Sequence, residues 1–85
     1  MAISKELEKQ WVDEANKQLK GKTILKVRYL TQKEVEDNMW YKRGVVILFT
    51  DGSMAYPVAD DEGNDSGVIF GQDKRGKQYV LPSLY

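Results

Sequence analysis

The chain has 85 residues, enough for one small domain, and its 13 basic and 13 acidic residues give a formal net charge of zero. It contains no cysteine and no histidine, which excludes disulfides, thiolate zinc sites and histidine-based acid–base catalysis. No apolar run reaches the roughly 20 residues needed to span a membrane, and the charged N-terminus lacks the apolar core of a signal peptide. We therefore expect a single cytoplasmic domain over residues 1–85 that does not associate with membranes.

An amphipathic helix is predicted at about residues 4–20. Apolar residues recur there every four positions, and Ser4 is a favourable N-cap. Gly21 is a natural residue to follow the end of the helix. We expect the apolar stripe to pack on the sheet of the same domain, and its members are Ile3, Leu7, Trp11, Ala15 and Leu19.

The first strand is predicted at about residues 23–31. Apolar and polar side chains alternate along it, which is typical of a half-buried strand. Leu25, Val27 and Tyr29 are expected to form its buried face. The polar segment at 32–38 is interpreted as a loop.

A central hairpin is predicted around Asp51-Gly52. The second strand, at about 39–50, contains the longest apolar run, and Gly44 within it indicates a bulge or bend. Asp-Gly between two strand-like segments favours a type I′ turn. The third strand is expected to return at about 53–59, and Pro57 predicts an edge, bend or bulge there.

The last third of the chain predicts an acidic loop at 60–66 and a second hairpin. Its two short strands are expected at about 67–71 and 77–82, on either side of a basic turn at 72–76. One helix followed by five strands over about 23–82 gives a mostly β fold. Many short strands joined by short turns predict a small barrel or sandwich.

Two short motifs occupy the turns of this element order. The segment Phe49-Thr50-Asp51-Gly52-Ser53-Met54-Ala55 has an aspartate at the end of the second strand and a methionine three residues later. Arg75-Gly76 lies between the apolar strands Val68-Ile69-Phe70 and Tyr79-Val80-Leu81. With the helix and the glycine-bent second strand, these motifs resemble the Sm-like (LSm/Hfq-type) family of ring-forming RNA-binding proteins. The chain looks like a divergent member of that family, of phage or bacterial type.

The resemblance implies a five-stranded, strongly bent small barrel of the SH3-like kind and a homo-oligomeric ring in which the fourth strand of one subunit pairs with the fifth strand of the next. It also implies that single-stranded RNA binds at the pore, through residues of the two turns. The chain departs from the family pattern at two positions, since Ala55 replaces an asparagine that reads a base edge and Ser53 replaces a stacking side chain. The RNA-binding residues that the resemblance implies are Asp51, Ser53, Met54, Ala55, Arg75, Gly76 and Lys77.

Two other interpretations remain open. The acidic loop and the missing asparagine favour a protein-interaction or structural module, a ring or SH3-like barrel that does not bind RNA. An enzyme is a remote third interpretation, because no histidine or nucleophile lies near the loop carboxylates in sequence, and no catalytic residue is predicted. No metal or other cofactor is expected, since the spacing of a calcium-binding loop is not met by Asp60, Asp61, Glu62 and Asp65.

Overall fold

The computed structural model describes residues 4–85, which form a small domain of two helices and five mostly antiparallel strands in two sheets. The elements are α1 (Lys5–Leu19), β1 (Ile24–Tyr29), α2 (Gln32–Asp37), β2 (Val45–Phe49), β3 (Met54–Ala55), β4 (Ile69–Gln72) and β5 (Gln78–Leu81). A three-stranded sheet has the order β1-β2-β3, and β4 and β5 form a separate two-stranded sheet. The predicted N-terminal helix and the antiparallel strands after it are confirmed, but α2 lies between β1 and β2, so the domain is mixed α/β and not mostly β. The strands do not close into the predicted barrel within residues 4–85.

Helix α1 begins as predicted but does not pack as predicted. The Ser4 hydroxyl accepts a hydrogen bond from the backbone N–H of Leu7 at 3.1 Å. No residue of α1 is buried, and Leu7, Trp11 and Leu19 are all exposed. Ile3, the first member of the predicted stripe, lies outside the described residues. Helical spacing determines which side chains share a face, but it does not determine whether the same chain covers that face.

The predicted buried face of β1 is also wrong. Leu25 and Val27 are exposed, and Tyr29 is only half-buried. The pairing of β1 with β2 shifts between Ile24 and Lys26, which interrupts the alternation that the sequence suggests. Because α1 does not cover this strand, the apolar side chains of β1 face solvent.

The segment that the sequence analysis interprets as a loop at 32–38 forms α2. The Thr31 hydroxyl accepts a hydrogen bond from the backbone N–H of Glu34 at 3.1 Å, and the Glu34 carboxylate accepts one from the Thr31 N–H at 2.8 Å. This reciprocal pair is a capping box, and threonine followed three residues later by glutamate is its sequence signal. Val35 is almost fully buried and attaches α2 to the core.

The core is small and centres on β2. Val46 packs with Leu30 and Val35, and Trp40 and Leu48 lie partly buried against them. The predicted long second strand is shorter than expected, since β2 begins only at Val45.

The predicted bend at Gly44 marks a close approach between two backbone segments. A Cβ at Gly44 would lie 2.9 Å from the Cβ of Ser66 and 3.2 Å from the carbonyl oxygen of Gly67. Only glycine leaves room for this contact. The third strand is likewise shorter than predicted, with Val58 reduced to an isolated bridge to Ser66.

Candidate functional site

The turn between β2 and β3 is a three-residue loop. The backbone N–H of Phe49 donates to the Ser53 carbonyl at 2.9 Å, and the N–H of Gly52 donates to the Phe49 carbonyl at 3.1 Å. Gly52 has a φ of 89°, whereas Asp51 does not have a positive φ. A type I′ turn requires positive φ at two consecutive residues, so that prediction is wrong. The loop is closed by a single left-handed glycine.

The turn between β4 and β5 has the same backbone arrangement. The N–H of Asp73 donates to the Lys77 carbonyl at 2.8 Å, and the N–H of Gly76 donates to the Asp73 carbonyl at 2.9 Å. Gly76 has a φ of 88°. One carboxylate oxygen of Asp73 also accepts hydrogen bonds from the backbone N–H groups of Arg75 and Lys77, both at 2.9 Å. The Asp73 carboxylate therefore stabilises the turn through hydrogen bonds with the backbone of the turn itself.

The polar side chains of the first turn form hydrogen bonds and an ion pair with other residues of the chain. The Lys22 ammonium lies 2.8 Å from the Ser53 hydroxyl and 3.2 Å from the Asp51 carboxylate, and it sits over the ring of Phe49. The Ser53 hydroxyl donates a short hydrogen bond to Asp51. Hydrogen bonds from Ser53, and then the contact with Lys22, lower the pKa of Asp51 to about 2.

Lys22 is a residue of this site that was not predicted from the sequence, and it lies 31 residues before Ser53. No local sequence signal connects two residues at this distance. The next two residues that the resemblance implies lie on β3, where Met54 is opposite Leu48 and Ala55 is opposite Ile47. Met54 is exposed, whereas Ala55 is half-buried.

The second turn leaves its basic side chains available. Lys74, Arg75 and Lys77 are exposed, and none of them forms an ion pair with another residue of the 4–85 segment. No hydrogen bond or ion pair among the described residues joins this turn to the turn at Asp51. The two sets of predicted RNA contacts lie at turns of different sheets.

One face of the β4–β5 hairpin carries an apolar cross-strand pair followed by a polar cross-strand pair. Phe70 lies opposite Val80, and Gln72 lies opposite Gln78. Phe70 is 77% exposed and Val80 is 53% exposed. We refer to these four residues as the hairpin face. On the other face, the Tyr79 ring lies against Gly71 and fills the space that a Cβ would occupy. A groove of about 630 Å³ lies along this hairpin.

The acidic loop is an ordered connection to the start of β2. One oxygen of Asp65 accepts backbone hydrogen bonds from Tyr41 at 3.2 Å and from Lys42 at 3.1 Å. The buried Ser66 hydroxyl donates to the Lys42 carbonyl at 2.7 Å. Burial by itself would raise the pKa of Asp65, but hydrogen bonds from Ser66, Lys42 and Tyr41 outweigh it and lower that pKa.

The remaining carboxylates of the loop do not gather into a metal site. Asp60 accepts hydrogen bonds from the backbone N–H of Glu62 at 2.9 Å and from the side chain of Asn64 at 2.7 Å. Its carboxylate is therefore used to stabilise the loop. Within the part of the chain that the structure describes, no three acidic, histidine or cysteine side chains lie close enough to hold a metal ion. Among the same residues, no helix is long and apolar enough to cross a membrane.

Comparisons with protein-family models, with curated proteins and with solved structures found no match to this chain. The resemblance to the Sm-like family rests on the two turn motifs and the element order alone.

Proposed function

We propose that this chain is a non-catalytic subunit that assembles with copies of itself, head to tail, through the β4–β5 hairpin. The observation that carries the proposal is the exposed surface of the chain. Its accessible area is 7146 Å², whereas a folded monomer of 9.8 kDa is expected to expose about 5,200 Å². Its radius of gyration is 14.8 Å, against about 12 Å for a compact domain of this length.

The excess area is of the size that protein interfaces remove. A stable interface of standard size buries about 800 Å² on each partner. The chain exposes about 2,000 Å² more than expected for its mass, which exceeds one such interface per subunit. Association therefore supplies the burial that the small core around Val46 does not provide.

The hairpin is the part of the chain best suited to this contact. A two-stranded sheet is marginally stable alone, and within residues 4–85 β4 and β5 have only each other as hydrogen-bonded neighbours. Their outer edges offer unpaired backbone groups to another strand. Phe70 and Val80 add apolar area beside those edges. If β4 of one copy pairs with β5 of the next, a repeated rotation closes a ring.

The assembly is tested by sedimentation velocity and native mass spectrometry at micromolar concentration. We expect one closed oligomer for the wild-type chain and a smaller species for Phe70→Ser, because this side chain is exposed and its change leaves the core intact. Tyr41→Ser is the matched control, since Tyr41 is 83% exposed on a different surface. A monomeric wild-type chain would overturn the proposal.

A second candidate function is the binding of single-stranded RNA at the tip of the same hairpin. The observation that favours it is the cluster of available cations at Lys74, Arg75 and Lys77, on the same hairpin as the exposed aromatic ring of Phe70. Basic side chains attract phosphates, and an aromatic face stacks on unpaired bases. Asp51 and Ser53 would have to leave Lys22 to contact RNA, so the principal contacts are expected at the second turn.

RNA binding is tested by fluorescence anisotropy with uridine-rich and adenosine-rich oligonucleotides at two salt concentrations. Binding should be weak, should decrease with salt and should discriminate poorly between bases. Arg75→Ala should remove most of the affinity, whereas Lys5→Ala on α1 should not. Equal losses would indicate diffuse attraction to the whole surface. Absence of binding at low salt would leave a protein-interaction module that does not bind RNA.

A further inference from the structure

Asp51-Gly52 is the only aspartate–glycine step in the chain. An aspartate forms a cyclic imide most readily when glycine follows it, because glycine has no side chain to hinder attack by its own backbone nitrogen. Both residues are exposed to water at the turn between β2 and β3. The sequence therefore places a chemically labile bond in this turn.

The reaction joins two groups that are already neighbours in the chain. The Gly52 nitrogen attacks the side-chain carbon Cγ of Asp51, and the amide proton leaves with the carboxyl hydroxyl as one molecule of water. Water then opens the five-membered imide at either of its carbonyls. Opening at Cγ restores aspartate, whereas opening at the main-chain carbonyl gives isoaspartate. In isoaspartate the backbone runs through the former side chain and is one carbon longer.

The folded turn holds the Asp51 carboxylate by both of its oxygens. Oδ1 accepts hydrogen bonds from the backbone N–H of Ser53 at 2.9 Å and from the Ser53 hydroxyl. Oδ2 lies 3.2 Å from the Lys22 ammonium. The carboxylate therefore has to give up these contacts before its carbon can turn towards the Gly52 nitrogen.

The two reacting groups are also in unreactive states. The Gly52 N–H donates to the Phe49 carbonyl at 3.1 Å, and this hydrogen bond must break before the nitrogen can attack. Hydrogen bonds from Ser53, and then the contact with Lys22, lower the pKa of Asp51 to about 2. A carboxylate has no hydroxyl that can leave as water, so the ionised form is the unreactive one.

Lys22 is itself held beside the turn. Its ammonium lies 2.8 Å from the Ser53 hydroxyl and 5.4 Å from the centre of the Phe49 ring. The carbonyl of the next residue, Thr23, accepts a hydrogen bond from the Thr50 N–H at 2.9 Å. These contacts keep the ammonium close to the Asp51 carboxylate.

We propose that Asp51-Gly52 is a modification site that converts spontaneously to isoaspartate, and that Lys22 and Ser53 are positioning residues that slow this conversion in the folded chain. The proposal depends neither on self-assembly nor on RNA binding. Isoaspartate at position 51 lengthens the three-residue loop and moves the carboxylate away from Lys22. Because β3 has two residues and pairs with β2 next to this loop, the modification should detach β3.

The conversion is measured by incubation at mildly acidic pH, trypsin digestion and electron-transfer mass spectrometry, which distinguishes isoaspartate from aspartate. The wild-type chain should convert at least about tenfold more slowly when folded than when unfolded in urea, because a pKa lowered from 3.8 to about 2 reduces the protonated fraction by more than this factor. Lys22→Met and Ser53→Ala should each accelerate the conversion in the folded chain. Circular dichroism establishes that each variant is folded during the incubation.

Two control variants separate the contacts at the turn from other effects. Lys20→Met removes a neighbouring ammonium that is exposed and forms no ion pair within residues 4–85. Thr31→Ala weakens the cap of α2 but leaves the turn at Asp51 unchanged. Both control variants should convert at the wild-type rate.

Equal rates in the folded and the unfolded wild-type chain would overturn the proposal, because the turn would then give no protection. Equal acceleration by Lys22→Met and Thr31→Ala would also overturn it, since the protection would then come from overall stability. If Lys22→Met does not fold, Ser53→Ala against Thr31→Ala decides between the same two explanations. None of these outcomes depends on whether the wild-type chain is a monomer or an oligomer.

Discussion

Trp40 and Gly63 are joined by a hydrogen bond of 2.6 Å from the indole Nε1 to the backbone carbonyl oxygen, across 23 residues of sequence. The same indole meets the ring of Tyr56 edge to face, with 6.2 Å between the ring centres. It also lies against the core cluster around Val46. A single side chain therefore connects the acidic loop to the most buried part of the domain.

Trp40→Phe should destabilise the fold modestly. The substitution keeps an aromatic ring but removes the N–H donor, which leaves the Gly63 carbonyl without this partner. We expect the free energy of unfolding to fall by about 1 kcal/mol in urea denaturation followed by circular dichroism. Tyr41→Phe, at an exposed neighbouring position, should leave it unchanged. Equal midpoints for the two variants would contradict a structural role for the hydrogen bond.

Gly44→Ala should be more disruptive, because the new Cβ would lie 2.9 Å from the Cβ of the buried Ser66. Overpacking of this kind costs about 1–3 kcal/mol. The same measurement applied to Gly44→Ala combined with Ser66→Gly should show part of the loss recovered, after correction for Ser66→Gly alone. Strict additivity of the two changes would mean that the close approach is not the cause.

The capping box of α2 predicts the effect of Thr31→Ala. Removing the hydroxyl leaves the N–H of Glu34 without its partner at 3.1 Å. The free energy of unfolding should fall by about 1 kcal/mol. Gln32→Ala, one residue later on the same helix, is the control and should have little effect. If the two variants have the same free energy of unfolding, the capping box of α2 contributes little to the stability of the domain.

The chain should lose stability in acid through Glu34 and Asp51. A hydrogen bond from Arg28, and then one from Thr31, lower the pKa of Glu34 from 4.5 to about 2. Asp51 is lowered from 3.8 to about 2. The unfolded chain therefore binds more protons between about pH 4.5 and pH 2, so stability is fully present above pH 4.5 and falls as the pH decreases through this window.

Chemical denaturation at a series of pH values measures this dependence. Glu34→Gln should flatten the decrease below pH 4.5, because the pair with Arg28 at 2.9 Å is already lost. Both groups are solvent-accessible, so the effect should be small and should shrink with added salt. Glu36→Gln on the same helix is the control. A decrease of the same steepness in both variants would assign the acid sensitivity to other groups.

Local physical chemistry made several features predictable from the sequence. Ser4 caps α1, and Gly52 and Gly76 each close a turn, because a capping hydroxyl and a left-handed glycine act within a few residues of their own position. The position of α1 before the first strand follows in the same way from periodicity. Even α2 had a local signal in the Thr31–Glu34 spacing, although the polar composition of that segment favoured a loop.

Only the tertiary structure decided what those elements contact. Periodicity places Leu7 and Trp11 on one face of α1, but their exposure depends on the direction in which the chain leaves Gly21. Likewise, Asp51 forms an ion pair with Lys22. The two residues are far apart in sequence, so no local pattern encodes this contact. The sequence by itself determined α1 and the positions of the two turns. The packing of helix and sheets, and hence the surface left exposed, depended on contacts that exist only once the chain is folded.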